Sequence, residues 1–264
     1  MNILVTGCSM TYGHGLEFNK DDPRLWVNST LHSVFGDDIT IDNIAKDGMN
    51  NHWILLETMN GIRTKQYDMV VVGWSSIPRY CFHVDVELYE VHTALRPGAM
   101  DINSNRFEKT SASWLRKTGD RLRKIHNDYW DILDLIKYVN VLMESTHGDK
   151  VFFVNTMIDY PREYFKYKKF EFPDEISEYE QELLNVPGRS DDAVKELYDM
   201  MHDEYNNYGG IHEDRWINLY DSLKSKQVDD ISDSDNHPSY MSQKLYTKMF
   251  TPIFDKKFKQ FIPG

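Results

Sequence analysis

Four short runs constrain this chain more than anything else in it. Asn2–Thr6, Ile39–Ile44, Asp68–Gly73 and Val151–Asn155 are each β-branched or aromatic and bounded by Gly, Asp or Asn. That is the pattern of strands buried in a parallel sheet. Trp216–Tyr220 is a weaker fifth run. Helical patterns lie between them. Pro23–Phe35 follows Asp21-Asp22, with Pro near the first turn as helix starts prefer. Asn50–Thr64 carries Trp53, Ile54, Leu56, Met59 and Ile62 at near-helical spacing. Trp114–Ser145 has a broad apolar face made by Ile132, Leu133, Leu135, Ile136, Val139 and Leu142. Asp191–Tyr205 and Ser239–Phe258 follow.

Strand and helix alternate, which predicts an α/β fold with a mostly parallel five-stranded sheet, helices on both faces and right-handed crossovers. There is no internal repeat and no low-complexity linker, so the 264 residues are expected to form one domain, 1–264, a three-layer α/β/α sandwich. Two stretches exceed a minimal five-strand unit, Ile77–Ser113 and Met157–Arg189. Both leave the carboxyl ends of expected strands, so these long insertions (77–113 and 157–189) are expected as irregular lids over the carboxyl edge. Phe82, Tyr89, Tyr160, Tyr164, Phe165 and Tyr167 then either wall a site or anchor the insertions to the core.

Composition narrows the partners. A formal net charge of −12 argues against nucleic acid, whose phosphates need a basic surface, and against anionic membranes. It favours neutral or cationic small ligands. The aromatic fraction of 13% is high and rich in Tyr and Trp, which serve as sugar platforms or as ordinary rim packing. The two cysteines, Cys8 and Cys81, offer neither a disulfide framework nor a thiolate zinc site. His14, His83 and His92 lack metal-site spacing, and no cofactor is expected. The apolar run at residues 2–6 is too short for a signal peptide or a span, so a soluble, cytoplasmic product is expected.

The chemistry is carried by two distant motifs. Gly7-Cys8-Ser9-Met10-Thr11-Tyr12-Gly13 follows the first strand at once and sets a hydroxyl at the carboxyl edge of the sheet, where open α/β sheets place ligands. A serine is a poor nucleophile until a base takes its proton, and first-turn amides after the strand favour an oxyanion beside it. Cys8 is the alternative nucleophile, though Ser9 has the better position. Asp235-Asn236-His237-Pro238-Ser239 supplies the base at a helix entrance, with Ser239 as the cap. Asp235, or else Asp233, can orient the ring of His237 and stabilise its charged form. Gly48 can turn an unobstructed N–H toward developing charge. Asn50 or Asn51 can cap the next helix, and Ser75, in Gly73-Trp74-Ser75-Ser76, can give a side-chain donor. Tyr12, Trp74 and Arg79 are candidates for the substrate pocket, with His14 and His83 as further lining residues, and none of Trp74, Arg79, His14 and His83 is expected to be catalytic.

These blocks resemble the SGNH hydrolase superfamily, the GDSL-type esterases and lipases. The first block is similar to Gly7–Gly13, with Cys8 where an Asp is usual. The glycine block is similar to Gly48, the Gly-x-Asn-Asp block to Gly73–Ser76, and the Asp-x-x-His block to the region of Asp235 and His237. The resemblance implies a flavodoxin-like three-layer fold and metal-free hydrolysis of esters, often acetyl groups on sugars or acyl chains on lipids. It implies Ser9 as nucleophile, His237 as base then acid, and Ser9 N–H, Gly48 N–H and a side-chain donor as the oxyanion hole.

Two departures stand out. The family's asparagine falls on Ser75, whose hydroxyl reaches less far, and losing one oxyanion donor costs roughly 3 kcal/mol in the transition state. Strict Asp-x-x-His spacing falls on Ser234 rather than on an acid.

The leading expectation is a serine esterase acting on a small acyl ester, such as an O-acetylated glycan. The rival is an SGNH-fold structural or carbohydrate-binding component of a phage virion that has lost activity, since the motif style is also similar to SGNH-type proteins encoded by bacteriophages. Homo-oligomer or virion assembly is compatible with either. A nucleotide-binding protein is disfavoured, because the first loop lacks both the Lys-Ser/Thr ending and the Gly-x-Gly-x-x-Gly spacing of phosphate loops.

Overall fold

A computed structural model describes residues 1–16, 20–75, 79–85, 89–94, 128–146, 148, 150–155, 203, 212–219, 230–232 and 235–259. Its centre is a five-stranded sheet of β1 (Asn2–Gly7), β2 (Thr40–Asn43), β3 (Met69–Trp74), β6 (Val151–Asn155) and β7 (Trp216–Asn218). The order is β2-β1-β3-β6-β7, and every pairing in it is parallel. All six residues of β3 and all five of β6 are buried, as a parallel sheet covered on both faces requires. The fold is α/β, as the alternation of apolar runs predicts, although the fifth strand stops at Asn218 rather than Tyr220.

The helices fall into two layers. Helix α2 (Trp26–Phe35) packs on α5 (Tyr240–Phe258), and α3 (Asn51–Thr64) packs on α4 (Asp128–Ser145). In the first layer the Trp26 ring meets Phe250 edge-on at 5.4 Å, and Phe258 meets Phe152 of β6 edge-on at 4.7 Å. In the second, α3 lies so close to β1 that a Cβ at Gly61 would sit 2.9 Å from Leu4 Cδ2. Thr58 Oγ1 and Thr6 Oγ1 share a buried hydrogen bond of 2.8 Å there. Leu4 and Thr6 therefore face α3, and strand alternation turns Ile3 and Val5 the other way. Among the described residues no helix is long and apolar enough to cross a membrane.

Several boundaries depart from the sequence reading. Helix α2 starts at Trp26 rather than Pro23, because Asp22 holds the preceding turn. Its carboxylate accepts from the Arg24 N–H at 2.8 Å and from the guanidinium, and Leu25 N–H donates to the Asp22 carbonyl. The stretch 77–113, expected to be irregular, contains an antiparallel hairpin of β4 (Arg79–Asp85) and β5 (Tyr89–Ala94). Its period-two signal is present in Tyr80-Cys81-Phe82-His83-Val84. The acidic stretch before His237 likewise holds a small ladder, with β8 (Asp230–Ser232) antiparallel to β9 (Asp235–Pro238). The insertion 157–189, the helix expected at Asp191–Tyr205 (apart from residue 203) and the 114–127 part of the long helix lie outside the described residues.

Candidate active site

Strand order decides where a site can form. From β1 the chain moves outward to β2 on one side, then returns to β3 on the other. The gap between the carboxyl ends of β1 and β3 is the topological switch point, where the crossovers diverge and leave a crevice. Gly7 of β1 is in register with Gly73 of β3. Ser9 and Ser75 each stand two residues beyond that pair, so both hydroxyls leave neighbouring strands at the same rim.

The turn that carries Ser9 is tightly specified. Cys8 is extended and stands before a single helical turn, α1 (Ser9–Tyr12), which Gly13 closes in the left-handed region at φ +83°. Four residues make a short macrodipole, so the electrostatic help expected from a following helix reduces to its individual first-turn amides. The carbonyls of this turn are held from outside. Trp26 Nε1 donates to Met10 O at 3.0 Å, and Asn43 Nδ2 donates to Thr11 O at 3.3 Å. Thr11 fills the space over the paired glycines, its Oγ1 placed 2.4 Å from where a Cβ on Gly7 would stand and 2.6 Å from one on Gly73. Cys8 is fully buried, and Ser9 is 2% exposed. Ser9 Oγ has no hydrogen-bond partner among the described residues.

The loop after β2 docks against this turn. Lys46 N–H donates to Gly7 O at 3.2 Å, and Asp47 Oδ2 lies 2.5 Å from His14 Nδ1. Gly48 then adopts φ +71°, a conformation that needs glycine. No hydrogen bond of its N–H is found among the described residues. Asn50 caps α3, its Oδ1 accepting from Trp53 N–H at 2.9 Å. Asn51 does something else: its Oδ1 accepts from Ser75 N–H at 2.8 Å, and its Nδ2 donates to Ser75 O at 3.2 Å. Ser75 is fully buried, and its Oγ too has no hydrogen-bond partner among the described residues.

His237 arrives from the far end of the chain. It lies in β9, which packs against α1, and its ring stands 4.4 Å from the ring of His14 at an interplanar angle of 47°. Ser239 caps the next helix as expected, accepting from Ser242 N–H at 3.4 Å. The backbone of Asp235 pairs with Ser232 in the small ladder. The carboxylate of Asp235, all of Asp233, and the side chains of Arg79, His83 and His92 lie outside the described residues.

Thus Ser9, Gly48, Ser75 and the strand bearing His237 converge on one rim, with Tyr12 half-buried at the end of α1. Trp74, expected on a pocket wall, is instead a core residue with none of its surface exposed, its ring stacked on Phe153 at 6.0 Å. A side chain at the buried end of a central strand points into a helix layer rather than at the rim. Among the described residues no group of three or more His, Cys, Asp or Glu could hold a metal ion. The sequence reading missed the roles of Asn51, Asp47 and His14. Only Asn51 left a signal: a helix needs one cap, and Asn50-Asn51 offers two.

No family model matches the chain, and no curated protein does. Solved structures resemble it at low identity. A lipolytic protein of the G-D-S-L family from Veillonella parvula is 13% identical, with 96% of this chain and 97% of that one covered and a TM-score of 0.43. The psychrotrophic esterase EstA from a Pseudoalteromonas species is 12% identical, with 98% of each chain covered and a TM-score of 0.44. A two-domain esterase active on acetylated mannans is 13% identical, with 100% of this chain and 51% of that one covered and a TM-score of 0.47.

Proposed function

We propose that the protein is a serine ester hydrolase for small acyl esters, with O-acetyl groups on a glycan as the substrate class. The observation that carries this reading is the buried Ser9 Oγ, without a hydrogen-bond partner among the described residues, at the switch point of the sheet. A buried hydroxyl without a partner costs free energy; Thr11 and Thr30 carry that cost too, so what supports a functional reading of Ser9 is its place at the switch point, on the turn against which the strand of His237 packs.

In the proposed reaction Ser9 Oγ attacks the ester carbonyl while His237 takes its proton. The Ser9–acyl bond forms as the carbonyl π pair moves to oxygen. The oxyanion then meets Ser9 N–H, Gly48 N–H and Ser75 Oγ. Collapse returns that pair, breaks the bond to the alcohol and sends the proton from His237 to the departing oxygen. Water, activated by the same imidazole, repeats the sequence and releases the acid. Asp235 orients the imidazole and balances its charge. Acidic composition favours an uncharged glycan over an anionic one.

The test is Ser9→Ala assayed on p-nitrophenyl acetate, with circular dichroism as the check on folding. Loss of turnover in a folded variant is expected, and unchanged turnover removes the reading. A second reading, a catalytically silent glycan-binding component of a virion, draws on the near-complete burial of Ser9 and on Ser75 standing where an asparagine is usual. A fluorophosphonate separates the two: covalent labelling at Ser9 supports the enzyme, and an unlabelled folded protein that still binds acetylated glycan supports the binding component.

A further inference from the structure

Strand β3 ends at Trp74, so Ser75 is the first residue with no place in the sheet ladder. Nothing in the ladder fixes its ψ or the direction of its hydroxyl. The Asn51 carboxamide replaces the missing ladder, gripping both the N–H and the carbonyl of Ser75 at 2.8 and 3.2 Å. Helix α3 has no need of Asn51, because Asn50 already caps it. Asn51 is also three residues from Gly48, whose left-handed turn lies in the same loop. One short segment thereby carries the Gly48 N–H and holds the Ser75 backbone. The hydroxyls of Ser9 and Ser75, each two residues past the Gly7–Gly73 pair, are both buried and both without hydrogen-bond partners among the described residues.

We infer that Asn51 is a positioning residue: it clamps Ser75 so that the short serine hydroxyl serves as the third donor to the oxyanion. This rests on the hydrolase reading above. It accounts for how a hydroxyl can stand in for a longer carboxamide, since a short donor works only where its backbone is fixed within a fraction of an ångström of the right place. Asn51 touches no reacting atom in this scheme and acts wholly through Ser75.

The experiment is a double-mutant cycle on p-nitrophenyl acetate hydrolysis. Asn51→Ala is expected to lower kcat about 10- to 100-fold with KM changed little, a share of the loss expected for removing a donor outright. In the Ser75→Ala background the same change is expected to cost less than about threefold, because the clamp then has no donor to aim. A merely structural role moves the thermal midpoint but gives losses that multiply across the cycle. Asn51→Gln keeps an uncharged carboxamide but moves it by one methylene, and serves where alanine unfolds the turn; the same coupling to Ser75 is expected. Multiplying losses in an enzyme whose Ser9 still takes a fluorophosphonate overturn the clamp and leave the hydrolase reading intact. A wild-type protein that neither turns over ester nor labels at Ser9 overturns both.

Discussion

The ring of His14 lies 4.4 Å from the ring of His237, and its Nδ1 is held by the Asp47 carboxylate at 2.5 Å. His14 comes from the turn just after α1, and Asp47 from the loop that carries Gly48. The imidazole from the far end of the chain therefore rests on a histidine that a second loop holds in place. Packing of this kind restricts ring rotation, which in the proposed hydrolysis matters for a base that must present one nitrogen to one hydroxyl.

His14→Ala is accordingly expected to lower kcat by ~10-fold while the fold persists, since small misplacements of a reacting group cost rate out of proportion to their size. Asp47→Asn should have a smaller effect in the same direction, because an amide still pairs with the ring. Steady-state kinetics with a thermal melt on each variant check both. Wild-type kcat in His14→Ala would show that His237 is held without its neighbour.

The paired glycines make a second, purely steric prediction. A methyl on Gly73 would meet Thr11 Oγ1 at 2.6 Å, and Thr11 Cβ only at 3.8 Å. Gly73→Ala is expected to cost about 1–3 kcal/mol of stability by overpacking. Thr11→Ala removes the clashing oxygen, a hydroxyl that is buried and without a partner among the described residues. The double variant should regain most of the loss, and urea denaturation of the three proteins measures it. Additive losses would place the strain in the backbone instead.

A third prediction concerns alkaline pH. Burial, then the hydrogen bond to Asp42 at 2.8 Å, push the Tyr67 phenol up to about 12. An unfolded tyrosine ionises near pH 10. Above that the unfolded chain releases a proton the folded one retains, so the stabilising contribution of Tyr67 is full below about pH 10 and is lost between about 10 and 12. Asp42 behaves oppositely. Its hydrogen bond from Lys65, and further that from Tyr67, hold its carboxyl below the usual range, so its contribution is present at neutral pH and lost on acidification. Melting wild type and Tyr67→Phe from pH 9 to 11.5 should show a steeper decline in wild type, by the unfolded tyrosine value near 10. Parallel declines would mean that the phenol titrates alike in both states.

Much of this molecule was legible before any coordinates. The inner strands announce themselves because residues buried on both faces are mostly apolar, as residues 69–72 and 151–154 are. Ser9 and His237 stood out in the sequence because each follows or precedes a recognisable element boundary, and the strand of His237 does pack on the helix of Ser9. The hairpin at Arg79–Ala94 was hidden by reading a long connection as unpatterned, although its alternation was there. The start of α2 was misplaced because Asp22 bonds Arg24 and spends the Pro23 signal on a turn. His14 and Asp47 had no local pattern to betray them, and the spare cap in Asn50-Asn51 did not say what Asn51 holds. Their meaning arises only when loops from three strands dock at one rim.

The packing of β9 against α1 joins segments that leave the ribosome far apart in time. Ser9 is made early, and the strand that bears His237 can dock on α1 only after the residues of β7 have been made. A chain cut short by a protease or a premature stop just beyond that strand also loses α5, and with Tyr246, Phe250, Phe254 and Phe258 gone one whole side of the sheet, with Trp26 on it, is left uncovered.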